Sequence, residues 1–394
     1  ERLAADVSKL CQHHINLFSE APFKEYWFIT HLQASGFGGL EHKNSTILQA
    51  SRFDLPNPQQ PAAELSDNYK TFLSLCSHEY FHAWNVCRIK PKEFMPYNLQ
   101  QESYTKQLWA FEGITSYYDD FSLYRSGLIN FDDYLTILAK TATRVYRGAG
   151  ELKQSVTASS FDAWTKFYQQ GPDAVNNIVS YYTKGALIAL WLDLTIRRKS
   201  NQQYSLDTLM RELWIHFGRN NIGTNEEDFI NIANILCGED ISVAFKHHLY
   251  SNERIDLTAE LASYGVQLQK QKFKKLNSLE TTASEHYHPY IGAQFKAQAQ
   301  GLTISQVLEN SPAANAGLAV NDVLIAVDKV KATEASLQAI LEHIPANSAL
   351  VCDFFRDDQL LSSSLTVTDS PLAGIGFKVF DDTLVKNWQA IIAP

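Results

Sequence analysis

Two histidines four residues apart flank a glutamate in His78-Glu79-Tyr80-Phe81-His82. If the apolar, aromatic-rich run Thr71–Val86 is helical, residues four apart lie one above the other on the same face. The imidazoles of His78 and His82 then converge on one point, as a single zinc ion requires of two nitrogen ligands. Glu79 sits one step round that helix, placed to touch a metal-associated water rather than to join the histidines as a ligand. Taken alone, two histidines on a helix face are ordinary polar residues. A second stretch, Lys106–Asp120, changes the balance. A catalytic zinc site needs a third protein ligand and one open position. Glu112, thirty residues after His82, is the candidate. On a helix it shares a face with Leu108, Thr115 and Asp119. A carboxylate in that apolar, aromatic setting is costly without a partner, and a metal supplies one.

The segments HEYFHAWNVCRIKP and YTKQLWAFEGITSYY, residues 78–91 and 104–118, resemble the glycyl aminopeptidase family, metallopeptidase family sixty-one. More distantly they resemble the aminopeptidase N group. Both are gluzincins, which hold zinc on two histidines and a glutamate. The resemblance implies that His78, His82 and Glu112 are the metal ligands of one zinc per chain and that Glu79 is the general base. Cys87 stands where many relatives carry lysine, past the ligand face. The fold implied is α+β: a mainly helical, thermolysin-like gluzincin domain with a small β-sheet, followed by a β-rich PDZ-like domain. Relatives usually begin with a β-rich N-terminal domain, which this sequence does not contain.

The elements that must position these residues can be read in outline. Leu3, Val7, Leu10, Cys11 and Leu17 recur at helical spacing. Two β-type segments follow, Tyr26–Gln33 and Ser45–Ser51, and Ser66 or Asp67 is placed to cap the zinc helix. Gly36-Phe37-Gly38-Gly39-Leu40-Glu41-His42 lies between the two β segments, and by itself reads as a hairpin loop. The family resemblance implies something else: an edge strand whose Gly38 and Gly39 admit substrate backbone and whose Glu41 holds the substrate's free α-amine. A carboxylate facing an ammonium sets exopeptidase register, because only a chain end can pair there. His42 stands where the more distant group has asparagine.

Val179–Ala186 opens a helix reaching about Lys199, whose most apolar part, Gly185–Ile196, is interrupted by Asp193 and reads as a buried core helix. Tyr181 and Tyr182 fit as packing aromatics. A phenol here could also donate to the oxyanion of a tetrahedral intermediate. Tyr182-Thr183-Lys184-Gly185 resembles the tyrosine motif of the aminopeptidase N group, which implies Tyr182 over Tyr181 for that role.

From residue 263 the composition shifts to lysines and then Ser, Thr and Glu, giving a strand and linker over 266–287. Residues 288–370 show alternating apolar strands and a short helix. Their segments Tyr290-Ile291-Gly292-Ala293 and Ser311-Pro312-Ala313-Ala314 resemble a PDZ domain of the bacterial protease-associated kind. Such domains take a peptide as an added strand and cradle its terminal carboxylate in backbone N–H groups. The expected layout is a catalytic domain over 1–265, the linker 266–287, the PDZ-like domain 288–370 and a C-terminal extension 371–394.

Composition bounds the rest. At 394 residues, with 45% hydrophobic and 12% aromatic residues, the chain can build two or three packed cores. A net charge of −9 argues against a nucleic-acid-binding surface. Cys11, Cys76, Cys87, Cys237 and Cys352 are odd in number and widely spaced, which fits reduced thiols and a cytoplasmic setting. The chain begins at Glu1, so a signal peptide and a periplasmic or secreted setting stay open. No stretch is long enough to span a membrane. The function implied is a zinc aminopeptidase acting on peptides with small first residues, glycine or alanine. The alternatives are a zinc endopeptidase that makes no use of Glu41, a non-catalytic PDZ-type peptide-binding protein, and a protein whose zinc is structural.

Overall fold

The computed structural model describes residues 1–61 and 64–392 and is α+β, with a helical N-terminal region and a strand-rich C-terminal one. Helix α1 (Arg2–Phe18) precedes a three-stranded sheet of β1 (Trp27–Gln33), β2 (Gly38–Glu41) and β3 (Ser45–Ser51), in the order β1-β3-β2. β1 and β3 run parallel, from Trp27↔Ser45 to Gln33↔Ser51, while β2 lies antiparallel on the far side of β3. The hairpin-loop reading of residues 36–42 is therefore wrong: parallel neighbours cannot be joined by a tight turn. The glycine-rich segment is the edge strand itself.

α2 (Asp67–Phe81) carries the first two candidate ligands. Ser66 caps it, its hydroxyl accepting from the Tyr69 N–H at 3.2 Å. Tyr69, Phe72, Leu73, Cys76 and Tyr80 recur at three- and four-residue spacing and are all buried. α1 packs against α2, with His14 Nε2 2.8 Å from Ser77 Oγ in the interior. The helix stops at His82, where the chain turns through Ala83 and Trp84.

The element carrying the third candidate ligand departs from the continuous α-helix expected over 106–120. A five-residue π-turn, Trp109–Gly113, leads into α3 (Ile114–Arg125), and Glu112 lies in the π-turn. α4 (Phe131–Tyr146) and the short helices α5 (Val156–Phe161) and α6 (Ala174–Asn177) follow. α7 (Thr183–Lys199) then runs through the middle of the core, with Asp193 paired to Arg197 at 3.0 Å and accepting from Tyr117 Oη at 2.8 Å. α7 crosses the π-turn backbone to backbone. A Cβ on Gly185 would lie 2.8 Å from Gly113 Cα and 2.8 Å from the Trp109 carbonyl, so only glycine fits that crossing. Helices α8 (Leu206–Leu213), α9 (Glu226–Cys237), α10 (Ser242–Tyr250) and α11 (Thr258–Ala262) complete this core. No helix among the described residues is long and apolar enough to cross a membrane.

Residues 266–287, read as strand and linker, form β4 (Val266–Phe273) and β5 (Thr281–Thr282). The PDZ-like unit follows with β6 (Pro289–Tyr290), β7 (Ala293–Gln298), β8 (Gly301–Val307), α12 (Pro312–Asn315), β9 (Val323–Val327), β10 (Val330–Lys331), α13 (Glu334–His343), β11 (Ala349–Arg356), β12 (Gln359–Thr366) and β13 (Thr368–Asp369). Its sheet runs β12-β11-β9-β8-β7 over a second, separate apolar core. The expected C-terminal extension returns to the first core as β14 (Gly374–Val379), paired with β4, and α14 (Asp382–Gln389). Trp388 of α14 is fully buried against Phe121, Phe131 and Tyr134, burial that ties the chain end to the helical region. The PDZ-like unit is thus an insertion between two strands of one sheet.

Candidate metal centre

α2 and α3 are pinned together along their length by polar contacts. Ser74 Oγ donates to Asp120 at 2.8 Å, and His78 Nδ1 lies 3.0 Å from Asp119 Oδ2. Beyond the end of α2, the buried Asn85 amide donates to the Ala110 carbonyl at 3.1 Å and to Thr115 Oγ1 at 3.3 Å. A π-turn leaves carbonyls without their usual helical partner, and such turns recur at functional sites. Asn85 takes up one of them and fixes the wide turn that swings Glu112 toward α2.

His78 Nε2, His82 Nε2 and a Glu112 carboxylate oxygen all lie within 4.8 Å of one another. His78 Nε2 is 3.0 Å from His82 Nε2, and Glu112 Oε2 is 3.2 Å from the first and 3.3 Å from the second. The outer ring nitrogens are already engaged. His82 Nδ1 is 2.7 Å from the Asn85 carbonyl, which can only accept, so that nitrogen carries the proton. His78 Nδ1 donates to Asp119 in the same way. In the neutral rings both Nε2 atoms therefore present lone pairs, face to face and beside a carboxylate. That arrangement repels unless a cation sits among the three atoms, and a divalent metal fits it. The electrostatics agree. Burial disfavours the imidazolium of His78, yet its bonds to Asp119 and Glu112 outweigh burial and carry its pKa well above the ordinary value. Burial likewise opposes charge on His82, but Glu112 pushes it up to about 9. Burial raises Glu112, and the two histidines more than reverse that, drawing it below the usual carboxylate range. The pocket is built to hold positive charge.

Glu79 is buried one helical step away, and its Oε2 has no hydrogen-bond partner. Burial raises its pKa, while His82 and His78 pull it back. Strand β2 passes so close that a Cβ on Gly39 would sit 2.2 Å from Glu79 Oε1, whereas Gly38 faces open space. Side chains alternate along a strand, so Glu41 points to the same side as Gly39. A Glu41 oxygen lies within 4.8 Å of the Glu79 carboxylate and the His82 ring. Two carboxylates this close favour a cation near them. His42 turns away, its Nδ1 3.3 Å from the Leu40 carbonyl.

Tyr182, at the start of α7, stacks on His78 with ring centroids 6.1 Å apart, and its hydroxyl is 3.1 Å from Tyr168 Oη. Burial first, then Glu112, raises its pKa, so the phenol stays protonated and able to donate. Tyr181 is fully buried against Phe167. Lys184 points away from the site, its Nζ donating to the Glu253 carbonyl at 3.0 Å beside the buried Glu151. The three metal-ligand candidates, Glu79, Glu41, Gly39 and Tyr182 thus gather at one place.

Three residues here went unassigned in the sequence. Asp119 carried a signal, seven residues after Glu112 and on its helix face. Asn85 and Tyr168 carried none, because each acts through a contact that depends on the fold.

Residues 71–188 match the family description M61 glycyl aminopeptidase, and residues 289–367 match the PDZ domain. Among solved structures, an aminopeptidase N family protein from Idiomarina loihiensis superimposes on 99% of this chain with a TM-score of 0.94 and 46% identity. The chain spans 66% of that protein's length. The serine endoprotease DegS of Escherichia coli is 36% identical over 76 residues, 19% of this chain and 21% of DegS. The putative serine protease HhoA of Synechocystis is 36% identical over 106 residues, 22% of this chain and 26% of HhoA.

Proposed function

With residues 71–188 matching the M61 glycyl aminopeptidases and residues 289–367 the PDZ domain, we propose that the chain is a zinc-dependent aminopeptidase. The observation that carries this reading is the meeting of three donor atoms, His78 Nε2, His82 Nε2 and Glu112 Oε2, with both outer ring nitrogens already engaged. A zinc ion held there supplies an acidified water and a Lewis acid for the scissile carbonyl. Glu79 takes the proton of the attacking water and passes it to the leaving amine, a transfer that its raised pKa favours. Tyr182 donates a hydrogen bond from its phenol to the developing oxyanion and keeps its proton. Glu41 binds the substrate's α-ammonium beside Glu79, with Gly38 and Gly39 letting the substrate backbone lie along β2. Asp119 and Asn85 keep the two imidazoles turned inward.

The cleavage register rests on Glu41. Replacing it with Gln removes the counter-charge for the ammonium while leaving the metal ligands in place. We expect about a 100-fold loss of kcat/KM on free-amine peptides and little change on N-acetylated ones. Equal cleavage of free and acetylated peptides by the unaltered protein would favour an endopeptidase instead. The preference for glycine or alanine as first residue follows the description of the matching family, and a panel of amino-acid p-nitroanilides tests it.

A further inference from the structure

β7 is the outer strand of the PDZ sheet. Such an edge presents a row of unpaired N–H and C=O groups, and PDZ domains use one to add a peptide as a further strand. In this chain that edge is engaged in cis. Asn277 meets Phe295, the third residue of β7, with both ends of its side-chain amide: Phe295 N–H donates to Asn277 Oδ1 at 2.7 Å, and Asn277 Nδ2 donates to the Phe295 carbonyl at 3.0 Å. That two-bond exchange is what a residue of a paired antiparallel strand would make. Asn277, at φ 56°, sits at the tip of the β4–β5 hairpin, closed by the Lys274 N–H on the Glu280 carbonyl at 3.0 Å. The neighbouring Leu276 packs against the PDZ core.

The head of the same edge adds a second observation. A cavity of about 50 Å³ opens beside Tyr290 and Gly292, with Lys275 and Leu276 of the hairpin tip and Arg147, which follows α4, among its lining residues. Arg147 is steadied by donating to Gln306 Oε1 at 2.8 Å. Two cationic side chains, neither of them from the PDZ unit, thus stand where the carboxylate of an added peptide would enter.

We propose that the tip of the β4–β5 hairpin is an intramolecular ligand that closes the PDZ edge. The site then takes an extended peptide with an apolar last residue and a free C-terminal carboxylate, faced by Arg147 and Lys275, only when the tip withdraws. Asn277 stands in for the peptide's backbone, and Leu276 for its apolar side chain. The hairpin base is paired with β14, which packs on α4, so filling the groove shifts a sheet of the catalytic region.

The test uses the full chain and three fluorescein-labelled octapeptides ending in free Leu, Val or Phe, each with a matching C-terminal carboxamide. Apparent affinity falls with the fraction of open sites, so Asn277→Ala should tighten binding of at least one free acid about tenfold. Asn277→Asp, which keeps the size but loses the donor to Phe295, should act in the same direction. The carboxamides should bind at least tenfold more weakly. Hydrogen exchange at the Phe295 amide should accelerate without peptide in Asn277→Ala, which leaves that N–H no side-chain acceptor. Affinities unchanged by either substitution, no binding by any variant, or equal binding of acid and carboxamide would each overturn the proposal.

Discussion

The Nδ1 of His78 lies 3.0 Å from Oδ2 of Asp119, while the corresponding nitrogen of His82 lies 2.7 Å from the backbone carbonyl of Asn85. One imidazole is oriented by a charge from the facing helix and the other by a neutral dipole from the turn that ends its own helix. Asp119→Asn keeps the shape and removes the charge, so zinc affinity should fall ~10–100-fold, as for other groups that orient metal ligands. Competition with a chelator of known affinity measures this. An unchanged affinity would leave Asp119 with a packing role alone.

Tyr182→Phe should lower kcat by about 100-fold with KM within a few-fold, as a donor proposed to act on charge that develops in the transition state would require. Tyr181→Phe should alter both constants little, since its ring is buried in the wall behind. Steady-state kinetics on a single free-amine substrate separate the two tyrosines.

Gly39→Ala and Gly185→Ala test two different close approaches. A methyl group at residue 39 meets the far end of the Glu79 side chain, so activity should drop at least tenfold while thermal stability stays near that of the unaltered protein. At residue 185 it meets backbone, which cannot swing aside. That substitution should cost ~2–3 kcal/mol and lower the melting temperature by several degrees. Thermal melts beside kinetics distinguish the pair.

His13, next to the buried His14, is held down to about 4 by burial and by Arg125, with Asp207 opposing. An unfolded histidine titrates near 6.5. Between those values the unfolded chain binds more protons than the folded one, so stability present above about 6.5 is lost as pH falls toward 4. His13→Met removes the group that takes up that proton. Chemical unfolding from pH 7 to pH 4.5 should show a loss about 2 kcal/mol smaller in the variant.

What could be read from the sequence was what depends on short spacing. The four-residue step from His78 to His82, the cap at Ser66 and the apolar run of α7 are local, and the fold keeps each of them. Glu112 was within reach because a carboxylate among Trp109, Phe111 and Ile114 demands a partner. The parallel pairing of β1 with β3 was hidden, because glycines between two strands suggest a hairpin whether or not one forms. The 266–287 segment looked like a linker because its lysines read as a solvated face, yet Lys272 is buried against Asp369 and the partner of its strand lies about a hundred residues onward. Asn85, Tyr168 and Asn277 are polar residues of ordinary appearance, and only the fold gives each its partner.

His78, His82 and Glu112 are proposed to hold one zinc ion on which hydrolysis depends. Elemental analysis of the purified chain and of Glu112→Gln, with glycine p-nitroanilide hydrolysis measured before and after chelation, tests it most directly. The expected result is close to one zinc per chain, weaker retention in the variant, activity lost on chelation and restored by zinc, and a folded protein throughout. A folded chain that binds no divalent metal, or one whose hydrolysis survives complete removal of metal, would contradict it.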